Sequence, residues 1–218
     1  MSRKTADLPV IPFASQQAFE HWLIKEGTKS AGIWMKLARK ASGIASISQP
    51  EAVETALCHG WIDGQLDSFD DDHWLIRFTP RKATSKWSQK NCAKIEALTA
   101  AGRMTPAGVA QVDLAKQDGR WDAAYASQRT AEIPDDLAAA LAKNKKAAAF
   151  FATISNSNRY AILYRLHDAK KPETRERRLQ DFIAMLERGE TIHLMKPKDG
   201  IKKAPAEAGK STGKKSAQ

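Results

Sequence analysis

The chain has 218 residues, of which 28% are charged and 42% hydrophobic, and a formal net charge of +10 at pH 7. This length is sufficient to bury a core in one large or two small domains. No apolar run approaches the roughly 20 residues that span a bilayer, and the N-terminus lacks the apolar stretch of a signal peptide. Two cysteines are too few for a disulfide framework. We therefore predict a cytoplasmic protein without a membrane span.

A lysine-rich tail carries half of the positive charge. Residues 196–218 contain seven lysines and two acidic residues, which together contribute +5. This composition predicts a disordered, Lys-rich tail over 195–218. Such a tail could bind nucleic acid weakly and nonspecifically, with an affinity that falls as salt rises.

Three elements are predicted before the most informative stretch of the chain. Apolar residues at helical spacing after Ser15 predict a helix over 13–25. The sequence GIWMKLA over 32–38 predicts a short strand. The sequence SQPE at 48–51 is a capping box with proline at the first helical position, so a helix should cover 50–58.

The stretch 58–91 organises the sequence, because it holds three of the six tryptophans and the clearest β-hairpin. Residues 60–69 and 74–80 are rich in aromatic and branched side chains, as strands prefer. Three aspartates at 70–72 predict the turn between them. A three-residue loop places Leu66 opposite Ile76.

The same register predicts the two faces of the hairpin. It places Gly64 opposite Phe78, and side chains then alternate between faces along each strand. The predicted apolar face contains Ile62, Leu66, Trp74, Ile76 and Phe78. The predicted polar face contains Trp61, Asp63, Gln65, Asp67, Arg77, Thr79 and Arg81.

Two helices are predicted after the hairpin. Ser85 is expected to cap the first of them, which would carry Trp87 and Asn91. The second should begin at Thr105 and end at Gly119.

The remainder of the chain is predicted to be helical. Apolar residues at helical spacing favour four helices between Pro134 and Gly189. The predicted fold class is therefore α+β: a small, mostly antiparallel sheet with packed helices, followed by a helical C-terminal half. The predicted domains are 8–119, which carries the hairpin, and a helical region at 120–194.

The polar face of the hairpin is the candidate functional site. In one interpretation Arg77 and Arg81 bind an anion while Asp63 orients a ligand or acts as a base. Trp61 would cover part of this cleft. In the alternative, the charged residues form cross-strand ion pairs on a solvated surface.

The start of the following helix extends this site. Ser85, Trp87 and Asn91 lie near a helix N-terminus, where backbone amides attract anions. Helix capping by Ser85 and core packing by Trp87 form the simpler alternative.

Other kinds of chemistry have weaker support in the sequence. Adjacent Cys58 and His59 point in different directions, so they do not form an activated nucleophile by themselves. The five histidines show no metal-ligand spacing, and no nucleotide-binding loop or nucleophile elbow appears. We therefore predict no metal and no cofactor, and the catalytic residues of any enzyme remain unassigned.

Five stretches resemble the YdeI/OmpD-associated family, whose members are commonly named bacteriocin-protection proteins. They are ALCHGWIDG at 56–64, RFTPRKATSKWSQKN at 77–91, GRMTPAG at 102–108, GRWDAAY at 119–125 and NRYAILYRLHDAKKPETRERRL at 158–179. The resemblance extends over about 13–193. It implies kinship with small α+β proteins of the YjbR/CyaY-like group, and a role in bacteriocin protection or stress response. It implies no catalytic residue.

These observations favour a non-catalytic binding or stress-protection protein with an anion-binding cleft. Its partner would be a small anionic ligand or a protein. One alternative is an enzyme that acts on a small anionic substrate in the same cleft. The other is nonspecific nucleic-acid binding through the tail.

Overall fold

The computed structural model describes residues 8–194 and divides into two compact units. The first extends to Glu132, and the second begins at Ile133. In the described part of the chain, a mixed four-stranded sheet and eight α-helices confirm the α+β fold class. The predicted Lys-rich tail at 195–218 lies outside the described residues.

The first unit contains all four strands of the sheet described here. Its elements are β1 Val10–Pro12, α1 Gln16–Glu26, β2 Ile33–Ala38, α2 Gln49–Cys58, β3 Trp61–Ser68, β4 His73–Pro80, α3 Gln89–Ala100 and α4 Pro106–Gln117, with a short 3-10 turn at Lys40–Ser42. The strand order is β1-β2-β4-β3. Strand β1 pairs in parallel with β2, and the other two pairings are antiparallel. Strand β1 was not predicted, because three residues are too few to show the two-residue alternation of a strand.

Helix α2 leads the chain into the hairpin. Its predicted capping box is confirmed: Glu51 N donates to Ser48 Oγ (3.4 Å), and Ser48 N donates to Glu51 Oε2 (2.9 Å). Gly60 then turns the chain with a φ of +73°, and a side chain there would place Cβ 2.9 Å from the carbonyl oxygen of Ala107. This position therefore requires glycine both for its backbone conformation and for the approach of α4.

The hairpin has the predicted register near its turn but not at its base. Leu66 pairs with Ile76, as predicted. The register then shifts between Asp63 and Leu66, so that Asp63 and not Gly64 lies opposite Phe78. This β-bulge places one extra residue in β3, which reverses the faces of the residues before it.

Trp61 shows the consequence of this reversal. Its side chain was predicted on the polar face, but it is 3% exposed and belongs to the core beneath the sheet. There it packs edge-on against Trp22, with 5.7 Å between ring centroids. Leu66, predicted to be buried, lies beyond this core and is 61% exposed. Burial of a large side chain such as Trp61 contributes roughly 1.5–3 kcal/mol.

Residues 120–132 belong with the first unit, although the sequence analysis grouped them with the helical region. Trp121 packs on Trp87 with 5.1 Å between ring centroids. Tyr125 N donates to Trp87 O (3.0 Å), and Gln89 N donates to Tyr125 O (2.9 Å). These long-range contacts hold residues 120–132 against the first unit. The stretch contains no regular helix or strand, so its position could not be predicted from sequence periodicity.

The second unit contains the four predicted helices, which the structure confirms. They are α5 Asp135–Lys143, α6 Lys145–Thr153, α7 Asn156–His167 and α8 Pro172–Glu187. Its most buried residues include Leu137, Ile162, Leu166 and Leu186. Asn158 in α7 is also buried and exchanges two hydrogen bonds with the backbone of His193.

Among residues 8–194, no helix is both long enough and apolar enough to cross a membrane.

Candidate anion-binding site

The segment between β4 and α3 positions the candidate site. Arg81 N donates to Gly60 O (2.9 Å), which fixes the backbone at the point where Pro80 ends the strand. Lys82 N then donates to Ser85 Oγ (3.0 Å), and Ser85 N donates to Lys82 O (2.9 Å). Ser85 therefore closes a turn.

The predicted helix start at Ser85 is wrong. Ser88 is the N-cap of α3, since its hydroxyl accepts a hydrogen bond from Asn91 N (3.2 Å). The cap falls here because residues 87–89 pair with Tyr125 and are held in an extended conformation before the helix begins. Trp87 consequently precedes the helix, and Asn91 lies half-buried in its first turn.

Trp87 is a buried residue that packs against Arg81. Its side chain is 2% exposed and packs against Trp121 on one side. The guanidinium carbon of Arg81 lies 3.6 Å from the ring centroid of Trp87. This stacking is a cation–π contact, and such contacts contribute about 0.5–2 kcal/mol.

Arg81 is buried without the partners that a buried guanidinium requires. It is 7% exposed, and its Nη1 donates to Lys86 O (3.3 Å). Its Nε and Nη2 are buried and have no hydrogen-bond partner in the described part of the chain. Burial lowers the pKa of Arg81 to about 10, an effect that the negative charge of Asp63 opposes. Arg81 is thus charged at pH 7 in surroundings that disfavour charge.

A second guanidinium holds the same segment. Arg120 Nη1 donates to Ser85 O (2.8 Å), and its Nε donates to both carboxylate oxygens of Asp118 (2.9 and 2.7 Å). The positive charge of Arg120 also contributes to the lowered pKa of Arg81. Arg120 therefore stabilises the turn that follows Arg81. This role was not predicted from sequence, because no local pattern links residue 120 to residue 85.

Arg81 lines an open groove of about 580 Å³, which we call the Arg81 groove. It is lined by Ala31, Gly64, Gln65, Arg77, Thr79, Pro80, Arg81 and Lys82. Three of these residues are cationic and none is acidic. Arg77 contributes a further buried Nε that lacks a hydrogen-bond partner within residues 8–194. The lining is therefore suited to an anion.

The structure brings only part of the predicted cleft together. Arg77 and Arg81 line the groove, and Trp87 supports Arg81. Asp63 is half-buried opposite Phe78 and does not line the groove.

Three further residues of the predicted cleft stand apart from the groove lining. Trp61 belongs to the core, Ser85 closes the adjacent turn, and Asn91 lies in α3. Lys82 lines the groove but was not predicted to do so, although its position directly after Arg81 was the available signal.

The buried thiols and histidine of the first unit do not form a second site. Burial raises the pKa of both Cys58 and Cys92, which disfavours the reactive thiolate. Burial lowers the pKa of His59, whose Nε2 lies 3.8 Å from Glu20 Oε1. Among residues 8–194, no cluster of histidine, cysteine or acidic side chains has the arrangement of a metal site.

Two family models match different parts of the chain. Residues 130–189 match the family described as "Bacteriocin-protection, YdeI or OmpD-Associated". Residues 11–111 match a "Domain of unknown function (DUF8412)". The resemblance to the YdeI/OmpD-associated family, predicted over about 13–193, is thus shown for residues 130–189. Searches of curated proteins and of solved structures gave no match.

Proposed function

We propose that the chain is a non-catalytic binding protein of the bacteriocin-protection type, whose first unit holds a small anion in the Arg81 groove. The single observation that carries the anion site is the Arg81 guanidinium, which is 7% exposed, lines the groove and has two nitrogens without partners in the described residues. An anion in the groove would place a negative charge beside this guanidinium. It would also favour the charged form that burial disfavours.

The composition of the groove supports binding over catalysis. Its eight lining residues include no carboxylate, histidine or cysteine, the usual general bases and nucleophiles. Asp63, the base considered from sequence, lies outside this lining. The match of residues 130–189 to the bacteriocin-protection model supports the wider role.

A thermal-shift measurement tests the anion site. Inorganic phosphate, a panel of nucleotides and acetate are each added to the full chain at low ionic strength, where screening is weak. We expect phosphate to raise the Tm of the wild type and to leave that of Arg81→Met unchanged. Methionine has a similar length and can keep the contact with Trp87.

A matched control separates the site from a general loss of charge. Arg129 is exposed and has no role in the groove, so Arg129→Gln should retain the full phosphate shift. If no compound stabilises the wild type, or if Arg81→Met responds as strongly as Arg129→Gln, the groove is not an anion site.

The protective role is tested in cells. Bacteria that express the wild type, Arg81→Met or Arg129→Gln are exposed to one pore-forming and one nuclease bacteriocin. We expect survival with the wild type and Arg129→Gln, and reduced survival with Arg81→Met. Survival equal to that of cells carrying an empty vector in every case would contradict the protective role.

A further inference from the structure

The positive charges of the Arg81 groove have no acidic counterpart within it. Arg77, Arg81 and Lys82 line the groove without an acidic neighbour in the lining. Within residues 8–194, the ion pairs involve other cations. Asp63, outside the lining, offsets part of the charge of Arg81. A dianion would compensate more of the remaining charge than a monoanion would.

Two of the cationic side chains in the groove are guanidinium groups, a donor type well suited to phosphate. The planar guanidinium presents N–H groups in a fixed fork that matches two oxygens of a phosphate or carboxylate. Two such groups are present, and each has at least one buried nitrogen without a partner in the described chain. Lys82 adds an exposed charge to the same lining. Phosphate offers three acceptor oxygens to these donors, and carboxylate offers two.

The groove also has room for more than an inorganic ion. Sites for organic ligands typically measure about 300–1,000 Å³, and the volume here is about 580 Å³. Ala31, Gly64 and Pro80 supply a neutral wall, while Gln65 and Thr79 supply uncharged polar groups. The cationic residues therefore occupy only part of the lining.

We infer that the ligand of the Arg81 groove is the phosphate monoester of a small organic molecule, bound as a dianion by Arg77, Arg81 and Lys82. The organic part would lie against the neutral wall. This inference rests on the proposed anion site and specifies the class of ligand. A phosphodiester, as in a nucleic-acid backbone, carries a single negative charge and should bind more weakly.

Ligands that share one organic group test the charge requirement. Phenyl phosphate is compared by calorimetry with phenyl sulfate, methyl phenyl phosphate and benzoate, using the full chain at low ionic strength. At pH 8 phenyl phosphate is a dianion, since its second pKa is about 6, and the others are monoanions. We expect phenyl phosphate to bind about tenfold more tightly, because one additional charge faces the guanidinium groups. At pH 5 this preference should disappear.

Two variants connect the preference to the groove. Lys82→Gln removes an exposed charge with little risk to folding, and Arg77→Gln removes a guanidinium; each should reduce the preference for phenyl phosphate over phenyl sulfate. Arg129→Gln should keep it.

The possible failures can be distinguished. Equal affinity for all four phenyl compounds would overturn the dianion inference and leave the anion site intact. If inorganic phosphate binds but none of the phenyl compounds does, the inference that the ligand is an organic molecule is overturned. Failure of every probe, including inorganic phosphate, would overturn the proposed function itself.

Discussion

In the second unit arginines donate to backbone carbonyls and to a carboxylate, whereas in the first unit Arg81 keeps buried N–H groups without partners. Arg159 donates to Phe151 O (3.2 Å) and Ala152 O (2.5 Å) at the end of α6. Arg175 donates to both carboxylate oxygens of Asp136 (2.6 and 2.9 Å) and to Leu166 O (2.8 Å).

We interpret this difference as one between structural arginines and an arginine that binds a ligand. Arg120 of the first unit is structural by its bonds to Asp118 and Ser85 O, although its Nη2 lacks a partner in the described residues. The last carbonyl groups of a helix lack partners within the helix. An arginine that donates hydrogen bonds to these carbonyl groups therefore stabilises the fold. A buried guanidinium with unpartnered N–H groups destabilises the fold instead. The unpartnered buried nitrogens found within residues 8–194 lie in the first unit. We interpret Arg81 as a group retained for binding at a cost in stability.

The largest expected effect comes from removing a structural arginine. Arg175→Met removes three hydrogen bonds, two to the Asp136 carboxylate and one to the carbonyl of Leu166. We expect the free energy of unfolding to fall by about 2 kcal/mol, measured by urea denaturation. Arg177→Met, an exposed position in the same helix, should have almost no effect. If the two variants have equal free energies of unfolding, Arg175 has no structural role.

Replacement of Arg81 should have the opposite sign. Without added anion, Arg81→Met exchanges an unsatisfied buried charge for an apolar side chain of similar length. We expect the free energy of unfolding to stay unchanged or to rise by about 1 kcal/mol, measured in the same urea experiment. A loss of about 2 kcal/mol or more would show that Arg81 is structural, and the contrast between the units would disappear.

The pH dependence of stability tests the structural role of the contact between Arg175 and Asp136. The hydrogen bonds from Arg175 hold the pKa of Asp136 below its ordinary value of 3.8. A lowered pKa stabilises the fold above the unfolded-state value, and this stabilisation is lost as the pH falls through the folded-state pKa. We expect Asp136→Asn to be less sensitive to acid below about pH 4, measured by thermal unfolding.

The neighbouring carboxylate provides the control for this experiment. Asp135 is exposed in the same helical turn, and Asp135→Asn removes the same charge without the arginine contact. If both variants show the same acid dependence, the Arg175 contact has no part in it.

The smallest expected effect concerns the rim of the groove. Lys82→Gln should leave the Tm unchanged because Lys82 is exposed. It should weaken phosphate binding by about threefold and make the affinity less dependent on salt, as expected for an exposed charge. Lys90→Gln, exposed outside the groove, is the matched control for calorimetry. An identical affinity for both variants would exclude Lys82 from the site.

The parts of the fold that sequence predicts are those set by local chemistry. The capping box at Ser48 fixes the start of α2, and helical spacing is sufficient for the four helices of the second unit. The Leu66–Ile76 pairing follows from the short turn between the strands. In each case, residues close in sequence determine the structure.

The candidate site depends on contacts between distant residues, and here sequence reasoning succeeds only in part. Arg77 and Arg81 were predicted, but the bulge before Leu66 moved Trp61 into the core. Ser85 and Ser88 are both acceptable caps, and the pairing with Tyr125 decides between them. Neither the bulge nor this pairing has a local signature.

The side-chain Nε–Hε signals of arginine report directly whether an anion binds at Arg81. A nitrogen-edited NMR titration of the full chain with inorganic phosphate reports on each arginine separately. We expect the signals of Arg81 and Arg77 to shift and saturate together, while those of Arg159 and Arg175 stay in place. An Arg81 signal that does not move at phosphate concentrations that saturate the protein would contradict it.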